Sequence, residues 1–145
     1  MEHGGRAGYK WWTPLQTRWN DGDPYGHVNN AVYYALFDTA VTRLLFERRV
    51  ISMQSPSIGL CVESYCRYFA PITFPEELYG GVRLAKIGNK SLRYEVGLFL
   101  ADNEAPAAAG YFVHVFVDRA TRRPQALSEA QKEALQDLAI SDGQA

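Results

Sequence analysis

The chain has 145 residues, of which 47% are apolar and 21% charged, a composition typical of one soluble globular domain. It carries 15 Lys and Arg residues against 16 Asp and Glu, and this formal net charge of −1 argues against nucleic acid as a partner, because phosphate binding needs a basic surplus. No uncharged stretch reaches the roughly 18 apolar residues of a membrane-spanning helix, so we expect no membrane association.

The N-terminus and the cysteines indicate the compartment. Residues 1–10 contain three glycines and no apolar core of a secretory signal, and we interpret them as a flexible lead-in to one domain that spans residues 1–145. Cys61 and Cys66 lie five positions apart in a β-prone segment, on opposite faces, so they cannot bridge within that strand. The sequence therefore predicts a cytoplasmic protein, and with three histidines and no CxxC pair it predicts no metal site.

The first third of the chain predicts a strand, a structured turn and a long helix. The β-prone run from Tyr9 to Trp19 favours a first strand. Gly, Pro and Asp crowd residues 20–30, as in a structured turn. Residues 31–49 contain no Gly or Pro, and their apolar residues recur at three- and four-residue spacings, which predicts a helix capped by Asn29 or Asn30.

The remainder of the chain changes to a β pattern before a short final helix. Four β-rich runs, separated by Pro and Gly turns, lie at residues 57–69, 78–87, 91–101 and 107–118. They predict an antiparallel meander, in which residues 111–117, apolar on both faces, suit an interior strand with His114 as a core histidine. The capping-box pattern of Ser128–Gln131 predicts a helix that extends through Leu138.

This order of elements predicts a two-layer α+β domain, in which one sheet curls around one long helix. Trp11, Trp12, Trp19 and the aromatic residues of positions 65–69 exceed what one helix can bury. Surplus apolar surface of this kind marks an oligomer interface, so we expect a homodimer at least.

The densest cluster of polar residues is at positions 18–30, where the first strand meets the helix. The unpaired N–H groups of a helix N-terminus polarise a carbonyl or hold an oxyanion. A carboxylate such as Asp23 acts there as nucleophile or general base, and His27 binds substrate or moves a proton. The residues alone leave open a second interpretation, in which Asp21 and Asp23 are turn residues and the asparagines are helix caps.

The string DGDPYGHVNN at residues 21–30, followed by Tyr33, closely resembles the signature of the hotdog-fold thioesterases, in particular the 4-hydroxybenzoyl-CoA thioesterase branch and its acyl-CoA thioesterase relatives. Residues 68–72, 86–91 and 114–118 resemble further motifs of that family. The resemblance implies an α+β hotdog fold, with a curved antiparallel five-stranded sheet wrapped around one long central helix and a short C-terminal helix.

The same resemblance implies an activity and a set of catalytic residues. The expected reaction is hydrolysis of an acyl-CoA thioester without a cofactor, coenzyme A being part of the substrate, at a site between the subunits of a homodimer or a dimer of dimers. Asp23 matches the catalytic carboxylate, and Asn30 lies near the helix N-terminal amide that binds the thioester carbonyl. His27 is expected to orient the substrate or to assist.

Substrate-binding roles fall to five further positions. Tyr25, Asn29 and Tyr33 belong to the first motif, while Lys90 and Ser91 belong to the turn whose cations suit the phosphates of coenzyme A. Two alternatives stay open, namely an acyl-carrier-protein thioesterase and a non-catalytic acyl-CoA-binding domain.

Overall fold

The computed structural model describes residues 4–140, which form one five-stranded antiparallel sheet packed against one long helix. The strands are β1 (Trp11–Leu15), β2 (Ser57–Tyr68), β3 (Leu78–Ile87), β4 (Ser91–Leu100) and β5 (Ala108–Asp118). The helices are α1 (Val32–Glu47) and α2 (Glu129–Glu133), with single 3-10 turns at Arg6–Gly8, Trp19–Asp21 and Gln136–Leu138. The expected α+β architecture is confirmed.

Helix α1 lies against the sheet because its apolar residues share one face. Leu36, Phe37, Ala40, Leu44 and Leu45 are buried, at the spacings that place side chains on one side of a helix. The helix is shorter than predicted, because Arg48 and Arg49 follow its last turn and Arg49 has a φ of +56°. Within residues 4–140, no helix is both long and apolar enough to cross a membrane.

The strand order is β1-β3-β4-β5-β2, which corrects the predicted four-strand meander. Only β3, β4 and β5 form a meander, and β2 pairs with β5 instead of β3. Residues 69–77 carry the chain from the β2 edge to the other half of the sheet, and a two-residue periodicity marks strands without marking their neighbours. The interior position predicted for β5 is confirmed, whereas β2 lies at an edge.

The expected flexible lead-in is wrong for the described part of residues 1–10; residues 1–3 lie outside the described range. Tyr9 is buried, and its ring packs edge-to-face on Trp12 and Phe99, with centroids 6.1 Å and 5.5 Å away. The guanidinium of Arg6 lies 5.0 Å from the Trp12 ring. The segment at residues 4–10 therefore covers the outer face of the sheet, the face opposite α1.

Part of the aromatic surplus noted in the sequence is thus covered within the chain. Trp12 lies under the N-terminal segment, and the Trp11 indole donates a hydrogen bond to the Glu47 carboxylate at the end of α1. Trp19 remains 82% exposed. The capping box is confirmed, since the Ser128 side chain accepts a hydrogen bond from the Gln131 backbone and the Gln131 side chain accepts one from the Ser128 backbone.

Candidate active site

The loop between β1 and α1 folds into a small hairpin at residues 22–28. Gly22 and Val28 form an antiparallel bridge, and the Asp23 N–H donates to the His27 carbonyl at 2.8 Å. Gly26 closes the turn with a φ of +86°, a conformation that L side chains rarely adopt. The hairpin therefore holds Asp23 at the base of a tight turn.

The carboxylate of Asp23 is anchored through one of its two oxygens. Oδ1 accepts hydrogen bonds from the backbone N–H groups of Tyr25 at 2.9 Å and His27 at 3.3 Å. Within residues 4–140, Oδ2 has no hydrogen-bond partner, and the side chain is half-buried. One oxygen fixes the orientation while the other stays available to a substrate or a water molecule.

Asp21 braces the hairpin and does not face the site. Its carboxylate is 4% exposed and accepts hydrogen bonds from the Arg18 backbone at 2.7 Å and guanidinium at 2.8 Å. Burial disfavours its charged form, but the hydrogen bonds from Arg18 prevail and hold the pKa of Asp21 below its usual value. Its carbonyl accepts from the Asn29 N–H at 2.8 Å, which ties the hairpin to the helix.

The N-terminus of α1 presents a free backbone donor beside this hairpin. The Asn29 side chain accepts from the Ala31 N–H at 2.9 Å. The N-cap of α1 is Ala31, without a side-chain cap, so the predicted capping by Asn29 or Asn30 is wrong. The Asn30 carbonyl accepts from the Tyr33 N–H at 3.3 Å, whereas the Asn30 N–H makes no hydrogen bond within the described residues. A free N–H at the positive end of a 16-residue helix suits a carbonyl oxygen that gains negative charge.

The end of β2 and the segment that follows it contact both the hairpin and the helix. The Val28 N–H donates to the Ile72 carbonyl at 2.8 Å, and the Tyr68 hydroxyl donates to the Asn30 carbonyl at 3.1 Å. The rings of Tyr33 and Tyr68 meet edge-to-face at 4.9 Å. Desolvation raises the pKa of both tyrosine hydroxyls, so both stay neutral. Residues 68–72 resemble a family motif, but the sequence assigns Tyr68 and Ile72 no role in the site, because contacts between distant positions leave no local pattern.

Two surface depressions meet at the hairpin, and Asp23 and His27 border both. The first, with a cavity volume of about 270 Å³, is closed on its far side by Trp19 and Phe74, whose rings lie 6.1 Å apart. The second has a cavity volume of about 340 Å³, and its lining includes Asn30, Tyr33, Tyr68, Phe69, Ala70 and Pro71.

The structure brings together four of the residues predicted for the site. Asp23, His27, Asn30 and Tyr33 border the second depression, although Tyr33 is only 3% exposed. Tyr25 lies at the hairpin tip, is 85% exposed, and is absent from the lining of both depressions. The side chain of Asn29 is occupied by its bond to the Ala31 N–H.

Lys90 and Ser91 do not join this group within one subunit. They lie at the start of β4, whereas the hairpin lies beyond the opposite end of the sheet, near the last residue of β2. Ten residues of strand separate the two ends of β4, roughly 33 Å at 3.3 Å per residue. Among residues 4–140, no group of three or more His, Cys, Asp or Glu residues is arranged to hold a metal ion.

One long helix packed against a five-stranded antiparallel sheet is the architecture of the hotdog proteins. The sequence profile of the thioesterase-like superfamily matches residues 17–135. The chain therefore belongs to the thioesterase-like superfamily, and the expectations of a hotdog thioesterase family and of a thioester hydrolase are confirmed.

Solved structures show the same likeness. The PA5185 protein from Pseudomonas aeruginosa PAO1 is 47% identical with a TM-score of 0.91, over 95% of this chain and 97% of that one. A thioesterase from Thermus thermophilus, complexed with coenzyme A and Zn, is 30% identical with a TM-score of 0.73, over 90% and 95%. Slr0204 from Synechocystis, a 1,4-dihydroxy-2-naphthoyl-CoA thioesterase, shares the fold at 17% identity and a TM-score of 0.77, over 88% and 96%. No curated protein sequence matches the chain.

Proposed function

We propose that the protein hydrolyses acyl-CoA thioesters to a free acid and coenzyme A, with Asp23 as the catalytic carboxylate. The observation that carries this proposal is that an anchored carboxylate with one free oxygen and the free N–H of Asn30 border the same depression. The coenzyme A bound to the thioesterase of Thermus thermophilus supports the choice of carrier. Coenzyme A enters as part of the substrate, and the reaction as proposed uses no prosthetic group.

In the proposed reaction, the thioester carbonyl accepts a hydrogen bond from the Asn30 N–H. The partial positive charge at the start of α1 then stabilises the oxyanion. The free oxygen of Asp23 either takes a proton from the water that adds to the carbonyl carbon, or adds to that carbon itself. Collapse of the adduct breaks the C–S bond and releases the thiolate of coenzyme A. If water has added, this step forms the free acid directly. If Asp23 has added, the acyl group stays on Asp23 as a mixed anhydride, and a water molecule then hydrolyses it to the free acid and restores the carboxylate. His27, exposed beside Asp23, orients the substrate or assists proton transfer.

The two depressions match the two arms of a thioester. The acyl group and the pantetheine chain diverge from one carbonyl, and Asp23 lies where the two depressions meet. Sites for small molecules have volumes of roughly 300–1,000 Å³. The first cavity, at about 270 Å³, lies below this range, and the second, at about 340 Å³, lies at its lower end. Each cavity therefore suits either the acyl group or the pantetheine chain better than a whole substrate.

The proposed working unit is a homodimer that forms through β2. Within the described residues, this strand of 12 residues has β5 on one side and no strand on the other. Its exposed apolar side chains include Leu60, Val62 and Tyr65. A long apolar edge of this kind pairs readily with another strand, and a second copy of β2 provides a symmetric partner.

Pairing of two β2 strands would also supply the missing part of the site. In an antiparallel pair, the Ser57 end of one β2 meets the Tyr68 end of the other. The partner's strands β5 and β4 follow, so the turn with Lys90 and Ser91 comes within about three strand spacings, roughly 14 Å, of this subunit's β2. This distance is within reach of the pantetheine and nucleotide parts of coenzyme A.

The principal test is hydrolysis of a panel of acyl- and aroyl-CoA esters, followed by release of free thiol. Asp23→Asn is expected to lose about 10²- to 10⁴-fold in kcat, the range for a catalytic acid or base, while the melting temperature stays unchanged. Asp102→Asn, in the exposed turn between β4 and β5, is the matched control and should keep wild-type activity. Undiminished turnover in Asp23→Asn would rule out the assigned role.

The same panel separates the alternatives. Faster turnover of acyl-carrier-protein thioesters than of coenzyme A thioesters with the same acyl group would favour the carrier-protein enzyme. Binding without turnover across both sets would favour a non-catalytic domain.

The dimer is tested by Val62→Lys, which places a charge on the β2 edge at a side chain that is 60% exposed. We expect a monomer in light scattering, with native circular dichroism and greatly reduced activity. Met53→Lys changes a 73% exposed residue outside the strand and should remain dimeric. A wild-type protein that is monomeric at micromolar concentration and fully active would contradict the proposed assembly.

A further inference from the structure

We infer that Tyr68 is a positioning residue that couples the β2 edge to the free N–H at the start of α1. This inference rests on the proposed function. Tyr68 is the last residue of β2, and its hydroxyl donates to the Asn30 carbonyl at 3.1 Å. The bond joins the strand proposed to form the subunit interface to the residue proposed to bind the thioester carbonyl.

The Asn30 carbonyl belongs to the peptide group that follows the Asn30 N–H, so a restraint on this carbonyl limits the rotation of Asn30 about its own φ and ψ angles. It accepts from the Tyr33 N–H inside the first helical turn and from Tyr68 outside it. The first turn of a helix frays easily, because its early N–H groups have no partners within the helix. Two donors on this carbonyl restrain Asn30 more than the bond from the Tyr33 N–H alone. Loss of the Tyr68 hydroxyl should therefore make the orientation of the Asn30 N–H more variable.

The Tyr68 side chain is itself held in place. Its ring meets the buried ring of Tyr33 edge-to-face at an interplanar angle of 80°. Desolvation, with Cys66 and Tyr34 nearby, raises the pKa of its hydroxyl, so the group remains a protonated donor at any working pH. A donor fixed at both ring and hydroxyl loses little entropy when it restrains Asn30.

The position of Tyr68 also makes it sensitive to pairing of β2. The residue is 44% exposed, and no strand lies beyond β2 among the described residues. A second copy that pairs along this edge would immobilise the end of β2 and, through Tyr68, the first turn of α1. Association would then order the carbonyl-binding N–H as well as complete the site.

The test compares Tyr68→Phe with Tyr65→Phe. Both residues lie on β2 with similar exposure, but the ring of Tyr65 stacks on Tyr111 at the outer face of the sheet. Loss of one neutral hydrogen bond predicts a fall in kcat of about two- to tenfold for Tyr68→Phe, with KM within about twofold of wild type. Amide hydrogen exchange at residues 30–34 should also accelerate. Tyr65→Phe should leave kcat and exchange unchanged.

The outcomes are separable. Wild-type kcat in Tyr68→Phe, or equal losses in the two variants, would overturn the inference. A raised KM at constant kcat would also overturn it, because that result indicates ordinary substrate binding. If the wild-type protein hydrolyses no thioester, the proposed function fails, and the hydrogen-exchange comparison still decides whether Tyr68 restrains the start of α1.

Discussion

His114 provides the sharpest test of how the core responds to pH. It lies on the face of β5 that packs on α1, is 6% exposed, and its Nδ1 is 3.0 Å from the Tyr94 hydroxyl. The rings of Phe112 and Phe116 flank it at 5.0 Å and 5.9 Å. This burial confirms the predicted core histidine, and it lowers the pKa of His114 to about 4.

The size of the effect follows from this pKa. Between pH 6.5 and 4 the unfolded chain binds a proton at His114 and the folded protein does not, so the free energy of unfolding falls as the pH falls. A difference of 6.5 − 4 = 2.5 pKa units corresponds to about 3 kcal/mol, of which about 2 kcal/mol is lost by pH 5. The neighbouring Tyr94 and Cys61 have raised pKa values and stay neutral in this range.

The assay is urea denaturation at pH 7 and pH 5 for the wild type, His114→Gln and His27→Gln. Glutamine retains a hydrogen-bond partner for Tyr94 but does not titrate. The wild type should lose about 2 kcal/mol more than His114→Gln, since carboxylates contribute alike in both proteins. His27→Gln, which replaces an exposed imidazole outside the core, is the matched control. Equal pH dependence in the wild type and His114→Gln would refute the reasoning.

Three further substitutions test packing, each by urea denaturation. In Gly110→Ala the new Cβ would overlap the Tyr65 carbonyl oxygen, so β2 must move, and we expect a loss of about 3 kcal/mol; a stable variant would contradict the close approach of β2 and β5. Arg83→Met breaks the buried 2.7 Å ion pair with Glu95 and should cost about 3–5 kcal/mol, most of which Arg83→Met/Glu95→Leu should recover; a double variant as unstable as the single one would argue against this reason. Ser128→Ala removes the cap of α2 and should cost about 1 kcal/mol, while Ser128→Asp should not.

Local patterns predicted most of the elements and the centre of the site. The period of α1, the β-rich runs and the Ser128 capping box all depend on neighbouring residues, and each is confirmed to within a few positions. The hairpin that holds Asp23 and the bond from the Ala31 N–H to the Asn29 side chain are also local, so one stretch of sequence specifies them.

The features that the sequence did not predict depend on distant partners. The pairing of β2 with β5 and the bond from Tyr68 to Asn30 join segments whose spacing carries no signal. The same limit applies to Lys90, which the motif match places in one site with Asp23 although the two lie at opposite ends of the sheet. Residues 4–10 lack the composition of a regular element, yet the buried ring of Tyr9 fixes them on the sheet.

That N-terminal segment matters for anyone who redesigns the protein. The Arg6 guanidinium donates hydrogen bonds to the carbonyls of Ala101 and Asn103, and these bonds hold the segment against the turn that follows β4. A shortened protein that begins at Trp11 would lack the contacts of Arg6 and Tyr9 with Phe99, and the aromatic surface around Phe99 would be exposed to water. Residues 4–10 therefore cover an apolar surface, and a protein without them would be prone to aggregate.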